Sequence, residues 1–219
     1  MDKNVSATDT ETSEREFDWG EIAPIEEIKR YFTETDTVRG FAETPSDSFI
    51  ESQFFDIRLP DAFDVVEEYW TNKPFAYTTI VFDETEGKRR YLFFEPVLSE
   101  FEQYVRQDLE QTIRYALRDE DLTTVSGPGR FRETLERLVA DHAAAVEDGS
   151  LHKIFYYLSR DFIDYGRLDP LMQDPHIEDI SCNGEDRPVF VYHGDYRDLE
   201  TNLEFTGDEL DSFVLSLAQ

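Results

Sequence analysis

The chain has 219 residues, of which 39% are hydrophobic and 14% aromatic, so it can bury the core of one large domain or two small ones. Its 50 acidic residues against 21 basic ones give a net charge of −29, which excludes a general nucleic-acid-binding surface because phosphates would be repelled. No apolar run approaches the roughly eighteen residues needed to cross a bilayer, and a single cysteine, Cys182, excludes an internal disulfide. These features predict a folded cytoplasmic protein.

The basic residues are sixteen arginines and only five lysines. A folded chain with this much negative charge and so little lysine is typical of a salt-rich cytoplasm, where charge repulsion reaches only about 3 Å at 1 M salt. We therefore expect a haloarchaeal acidic protein whose stability rises with salt. An ordinary acidic cytosolic protein is the alternative.

The first third of the chain contains a tail, a helix and a hairpin. Residues 1–16 are polar and lack aromatic side chains, and they are predicted to form a disordered acidic tail. A short helix is predicted to begin near Pro24, with Ile25 and Ile28 on one face. Residues 74–96 hold two arms rich in aromatic and β-branched residues around the turn DETEG, which predicts a β-hairpin.

Three helices are predicted next. Ser99 and Glu102 form an S-x-x-E capping box, which marks the start of a long helix. The sequence SGPGR at 126–130 breaks the helical pattern and is the candidate domain boundary. Two further helices are predicted on either side of an interruption at Gly149 and Ser150.

The C-terminal part is predicted to contain strands and a last helix. Gly166 suits the left-handed position at the end of the third helix, and strand-forming segments follow at 177–182, 188–193 and 199–205. A second capping box at 206–209 starts the last helix. The apolar pattern of this helix is still running at the final residue, without a stop signal, so we expect a longer parent protein.

These elements predict an α+β fold: a helix-rich N-terminal domain with a β-hairpin, followed by a small α-β-β-β-α domain that is incomplete at the C-terminus. The predicted division is the acidic tail at 1–16, an N-terminal α/β domain at 17–125, a linker and helix at 126–150, and the small domain at 151–219.

No nucleotide-hydrolysis motif is recognisable in the sequence. A P-loop needs G-x-x-x-x-G-K-[ST], because glycine amides wrap the phosphates and the lysine reaches them. The stretch EGKRR at 86–90 has no upstream glycine and no Ser or Thr. We therefore expect this chain to be inactive as an ATPase on its own.

A metal site formed by Asp174, His176, Glu178 and Asp179 is one interpretation of the acidic stretch around the histidine. The spacing is not that of H-E-x-x-H, and neighbouring residues of an extended segment point to opposite faces, so Glu178 and Asp179 would not converge. The sequence therefore favours a turn and a strand with solvated acids, and we predict no metal.

Nucleophilic catalysis through Cys182 would need a nearby base, for which His176 and His193 are candidates. A single cysteine in a strand is more often a small packing residue. His142, on an apolar helical stripe, is predicted to be a buried, hydrogen-bonded histidine. We predict no catalytic residue in this chain.

The arginines are the more informative polar residues, because they are few among many acids. Arg160 and Arg167 flank the end of the third helix, and Arg197 lies in a turn of the β segment. An arginine that faces a groove can bind a phosphate in a bidentate manner. The alternative, which is more frequent, is a surface salt bridge to one of the acids.

The C-terminal stretch resembles a known family. It is similar to the region just before the nucleotide-binding domain in archaeal members of the type II/type IV secretion ATPase superfamily, the motors of pilus assembly, secretion and the archaellum. The matching residues are Arg160-Asp161, Tyr165-Gly166, Asp169-Pro170-Leu171-Met172, Asp174-Pro175, the run 177–182, Pro188-Val189, Tyr192-His193, Tyr196, Thr201-Asn202 and Leu210-Asp211. Residues 21–125 resemble the variable N-terminal domain of the pilus-type branch more loosely.

This resemblance has several implications. The parent protein would bind ATP and Mg²⁺, although this chain would hold no cofactor itself. The parent would form a hexamer at the inner face of the cell membrane, with its own motor domain, neighbouring subunits and a polytopic membrane platform protein as partners. Residues 151–219 would be the second N-terminal, lid-like domain, and Arg160, Arg167 and Arg197 would be candidates for contact with nucleotide phosphates.

Three functions therefore remain open. The first is the N-terminal half of a secretion or pilus-assembly ATPase, or of an archaellum motor. The second is a free-standing adaptor or regulatory module without ATPase activity. The third is a small hydrolase that uses His176, Cys182 or the acids.

Overall fold

The computed structural model describes residues 14–16, 23–34, 42–119, 128–141 and 146–217. Residues 1–13 of the tail predicted at 1–16, and His142, lie outside these described residues, whereas residues 14–16 form a strand that pairs with the segment Arg58–Pro60. The described helices are α1 (Ala23–Glu34), α2 (Asp47–Phe49), α3 (Glu100–Asp119), α4 (Pro128–Asp141), α5 (Asp148–Phe162), α6 (Asp169–Met172) and α7 (Gly207–Leu217), with a π-helical turn at Ile50–Phe54 and a 3₁₀ turn at Gly166–Leu168. The strands are β1 (Glu14–Glu16), β2 (Arg58–Pro60), β3 (Phe63–Asn72), β4 (Ala76–Asp83), β5 (Lys88–Phe94), β6 (Ile177–Ser181), β7 (Pro188–His193) and β8 (Arg197–Glu204).

The predicted hairpin is present as β4 and β5. The carboxylate of Asp83 accepts hydrogen bonds from the backbone N–H groups of Thr85 and Glu86, which closes the turn. Gly87 completes it with φ +66°, a conformation that glycine adopts without steric cost. The mixed α+β fold class is confirmed.

Six strands form one sheet in the order β3-β4-β5-β8-β7-β6. The neighbours are antiparallel except at the centre, where β5 and β8 are parallel, with Arg90 opposite Glu200 and Tyr91 opposite Thr201. The side-chain amide of Asn202 extends this pairing, because it accepts from the backbone N–H of Phe93 and donates to the carbonyl of the same residue. Strands from both predicted domains therefore share one sheet, and the division at 126–150 stays a prediction.

Three apolar clusters surround the sheet. One packs α1 and the π-helical turn against β4, the second joins β4 and β5 to β7 and β8, and the third lies among α3, α4 and α5. Strand β4 is buried on both faces, since Tyr77 and Val81 belong to the first cluster and Ile80 to the second. This two-sided burial explains its nearly continuous run of β-branched and aromatic residues.

The capping box predicted at Ser99 is confirmed with both of its hydrogen bonds, and the one predicted at Thr206 forms the bond to the glutamate carboxylate. The backbone N–H of Ser99 donates to the Glu102 carboxylate at 2.7 Å, and the backbone N–H of Glu102 donates to Ser99 Oγ. At the start of α7 the backbone N–H of Thr206 donates to the Glu209 carboxylate at 2.9 Å.

The predicted interruption at Gly149 is wrong, because Gly149 and Ser150 lie in the first turn of α5. Glycine is required there by packing: a Cβ on Gly149 would lie 2.2 Å from Cε1 of the buried Phe49. Gly166 does have a left-handed conformation, φ +56°, but it begins the 3₁₀ turn, whereas α5 ends at Phe162.

Candidate functional site

Arg160 lies in the last turn of α5 and is buried. Its Nη1 donates to both carboxylate oxygens of Glu95, at 2.8 and 2.7 Å, and its Nε donates to Asp161 at 2.8 Å. Burial acts to lower the pKa of the guanidinium, but the two carboxylates outweigh it and hold the pKa above its usual range. In this conformation Arg160 ties α5 to the segment after β5.

Arg167 lies in the 3₁₀ turn, and its side chain is 38% exposed. Its guanidinium covers the Phe205 ring at 5.1 Å and pairs with Glu209 at 2.9 Å. Glu209 is the capping carboxylate of α7, and hydrogen bonds from Thr206 together with Arg167 hold its pKa below the usual range. Arg167 therefore contacts α7 through an ion pair that water can reach.

Arg197 begins β8 with φ +67°, an uncommon conformation for a residue with a side chain. It is exposed, its guanidinium lies 5.5 Å from the centre of the Tyr192 ring, and it donates to the Tyr192 hydroxyl. Phe205, which Arg167 covers, follows the other end of this eight-residue strand. At about 3.3 Å per residue, Arg197 and Phe205 are about 26 Å apart along the strand, so Arg167 and Arg197 do not share a site.

A second polar cluster centres on Asp174, whose carboxylate is buried between β3, β5 and the start of β6. Its Oδ2 accepts from the hydroxyls of Tyr69 and Tyr91, both at 2.7 Å. Its Oδ1 accepts from the backbone N–H of His176 at 2.8 Å and lies 3.0 Å from Nδ1 of the same residue. Burial and Asp174 raise the pKa of both tyrosines, which therefore stay protonated as donors.

His193 joins the same cluster from the end of β7. The backbone N–H of Asp195 donates to its Nδ1 at 3.1 Å, so the neutral ring carries its proton on Nε2, which lies 3.3 Å from the Tyr69 hydroxyl. Burial lowers the pKa of His193, which favours this neutral form. The His193 and His176 rings stack with their centres 5.4 Å apart.

Asp174, His176 and His193 bring ligand atoms within 4.8 Å of one another, which raises the question of a metal ion. The donor set does not fit one. An Nε2-bound metal would require the proton of His193 to move to Nδ1, which already accepts an N–H, and Asp174 already accepts three hydrogen bonds and lies 3.0 Å from Nδ1 of His176. Glu178 and Asp179, the other predicted ligands, are exposed on β6 outside this group.

The cluster is best described as a polar junction between the two halves of the sheet. Tyr69 and Tyr91 come from β3 and β5, while Asp174 and the histidines come from the segment after α6 and from β7. Sequence reasoning missed both tyrosines, because aromatic residues in strands carry no local signal of a distant carboxylate. Cys182 is exposed after β6, whereas both histidines are engaged in the Asp174 network.

None of the described helices is both long enough and apolar enough to cross a bilayer.

Comparisons with known proteins give a family match, located in the N-terminal half of the sheet, and two curated relatives. Residues 37–97, which include β2 to β5, match the family described as PilB3-like, N-terminal. The chain is 36% identical over 148 residues to the uncharacterized protein MJ1288 of Methanocaldococcus jannaschii, covering 66% of this chain and 58% of that protein. It is 26% identical over 164 residues to the uncharacterized protein MJ0900 of the same organism, covering 64% of this chain and 29% of that protein.

The chain thus spans less than two thirds of either curated relative. The family match supports an N-terminal region related to those of pilus and secretion ATPases, as the resemblance predicted.

Proposed function

We propose that this chain is the N-terminal part of a type II/type IV secretion or pilus-assembly ATPase, in which it docks to the membrane platform and gates nucleotide in a motor domain. The observation that carries the proposal is the PilB3-like match at residues 37–97. That segment pairs through β5 with β8, within the stretch that resembles the region before the nucleotide-binding domain. The free-standing adaptor and the archaellum motor remain the alternatives.

The energetics favour Arg167 over Arg160 as the residue that meets a phosphate. To bind a phosphate, Arg167 would have to give up only its exposed ion pair with Glu209, which costs at most about 1 kcal/mol. Arg160 is itself buried and would have to leave Glu95, whose two carboxylate oxygens it contacts, and breaking a buried ion pair costs about 3–5 kcal/mol.

The test uses Arg167→Ala in the full-length parent protein, with Arg187→Ala as the control, since Arg187 is exposed in the loop before β7. If Arg167 stabilises charge on the transferred phosphate, its loss should lower kcat for ATP by about 100-fold or more. Arg187→Ala should change kcat by less than about twofold, as expected for a surface substitution. Equal activity of the two variants would contradict the gating role. The 219-residue chain alone should show no ATP turnover.

A further inference from the structure

A groove of about 850 Å³ runs along the N-terminal half of α3. It is lined by the segment from Phe93 to Leu98, by the first three turns of α3 and by Tyr157 of α5. We refer to it as the α3 groove. It does not include Arg167, Arg197 or the Asp174 cluster.

The inner wall of the α3 groove is formed by charged and aromatic side chains in contact. The guanidinium groups of Arg106 and Arg160 each lie 4.8 Å from the centre of the Tyr157 ring. The Tyr157 hydroxyl donates to the carbonyl of Pro96 at 2.6 Å. Arg106 also pairs with Asp161 at 2.6 Å, so the positive charge of this wall is already matched within the chain.

The outer rim carries large apolar side chains that are left in water. Val97 and Tyr104 line the groove and are 43% and 67% exposed, and Phe101, one turn before Tyr104 on the same face of α3, is 54% exposed. Aromatic side chains beside a groove are the usual anchors of protein interfaces, because they lose a large apolar area from water on binding.

The charge of the α3 groove selects the kind of occupant. Glu100 lines it and is exposed, whereas Glu110 lines it but pairs with Arg106 at 2.9 Å, and the whole chain carries a net charge of −29. The same face of a second copy would offer Glu100 no unpaired cation, because its Arg106 is held by Glu110 and Asp161. A cationic segment meets both the Glu100 carboxylate and the exposed aromatics favourably, since Lys and Arg also bind the faces of aromatic rings.

We propose that the α3 groove binds a cationic peptide segment of another protein, with Lys or Arg beside Glu100 and an aliphatic or aromatic anchor on Tyr104 and Phe101. This proposal does not rest on the motor relationship. Its failure would leave the family match at residues 37–97 untouched, and loss of the motor relationship would leave the groove as it is.

The test measures binding of two labelled helix-forming peptides, one of Lys and Leu and one of Glu and Leu, to the full chain by fluorescence anisotropy. The matched variants are Tyr104→Ala and Tyr115→Ala: both tyrosines are 67% exposed on α3, but Tyr115 does not line the groove. Thermal melting of both variants should equal that of the wild type, because neither side chain is buried. We expect Tyr104→Ala to weaken binding of the Lys/Leu peptide about tenfold or more and Tyr115→Ala to leave it within about twofold.

Several outcomes would overturn the proposal. Equal effects of the two variants would mean that the peptide binds the acidic surface diffusely, without the groove. If the Glu/Leu peptide bound as tightly as the Lys/Leu peptide, the groove would not select a cationic segment. Sedimentation that shows self-association dependent on Tyr104 would assign the groove to a second copy instead.

Discussion

Replacement of the buried Lys153 by methionine should destabilise the protein more than removal of any exposed lysine. Lys153 lies in α5 with its side chain 1% exposed. Its ammonium donates to the carbonyls of Gln53 and Val97, at 3.0 and 2.7 Å, and to the Glu102 carboxylate at 2.8 Å. One ammonium group therefore joins α5 to the π-helical turn, to the segment after β5 and to α3.

The magnitude follows from what methionine leaves behind. Lys153→Met keeps the apolar stem of the side chain but removes a hydrogen-bond donor from the Glu102 carboxylate, which is 5% exposed, and from two carbonyl groups. Removal of one partner of a buried ion pair costs about 3–5 kcal/mol. Lys88 pairs with Glu200 at the partly exposed edge of the β5–β8 junction, so Lys88→Met should cost less than about 1 kcal/mol.

The assay is urea unfolding of wild type, Lys153→Met, Glu102→Leu, Lys88→Met and the double variant Lys153→Met/Glu102→Leu, followed by circular dichroism at fixed KCl. The double variant leaves no unpaired buried charge. The loss in its free energy of unfolding should therefore be smaller, by about 0.5–3 kcal/mol, than the sum of the losses in the two single variants. If Lys153→Met unfolds at the same urea concentration as Lys88→Met, the reasoning from burial and satisfied donors is refuted.

Three further predictions concern packing, pH and salt. Gly149→Ala should destabilise the fold by about 1–3 kcal/mol in urea unfolding, because its Cβ would meet the buried Phe49 ring. Gly194→Ala, whose Cβ would lie 3.5 Å from its nearest neighbour, a carboxylate oxygen of Glu178, should change stability by less than about 0.5 kcal/mol. Equal effects of the two variants would contradict the packing argument. Since burial lowers the folded pKa of His193 below its ordinary value of 6.5, its stability contribution is present above pH 6.5 and lost as the pH falls towards the folded pKa. His193→Gln should therefore reduce the fall of the melting temperature between about pH 7 and 5. If the melting temperature of the variant depends on pH as steeply as that of the wild type, the stability change does not come from His193. Because the net charge is −29, the melting temperature should rise between about 0.1 and 1 M KCl as the screening length falls from about 10 to 3 Å, and a flat response would contradict the salt-adaptation prediction.

Local signals in the sequence were sufficient for several elements. The capping boxes at Ser99 and Thr206 depend on residues three positions apart; the first forms both of its hydrogen bonds and the second forms the bond to the Glu209 carboxylate. The hairpin of β4 and β5 depends on a short turn and two arms of strand-forming residues. In each case the stabilising contacts lie within a few residues of the signal.

The elements that sequence reasoning missed depend on distant partners. Strand β3 carries exposed acids and valines in succession, such as Val65, Val66 and Glu67, so it lacks the alternation of a half-buried strand, yet it pairs with β4 along the edge of the sheet. The parallel pairing of β5 with β8 joins residues about 110 positions apart, such as Arg90 and Glu200. The Asp174 junction joins residues of β5 and β7, which the pairing with β8 brings into one sheet, so the sequence could not predict it either.

The most direct test of the proposed function is the size and activity of the native gene product, detected in cells with an antibody to residues 37–97 and then purified. The proposal predicts a product longer than 219 residues that contains a G-x-x-x-x-G-K-[ST] motif and hydrolyses ATP. A product of 25.7 kDa that neither contains nor binds a P-loop motor would contradict it.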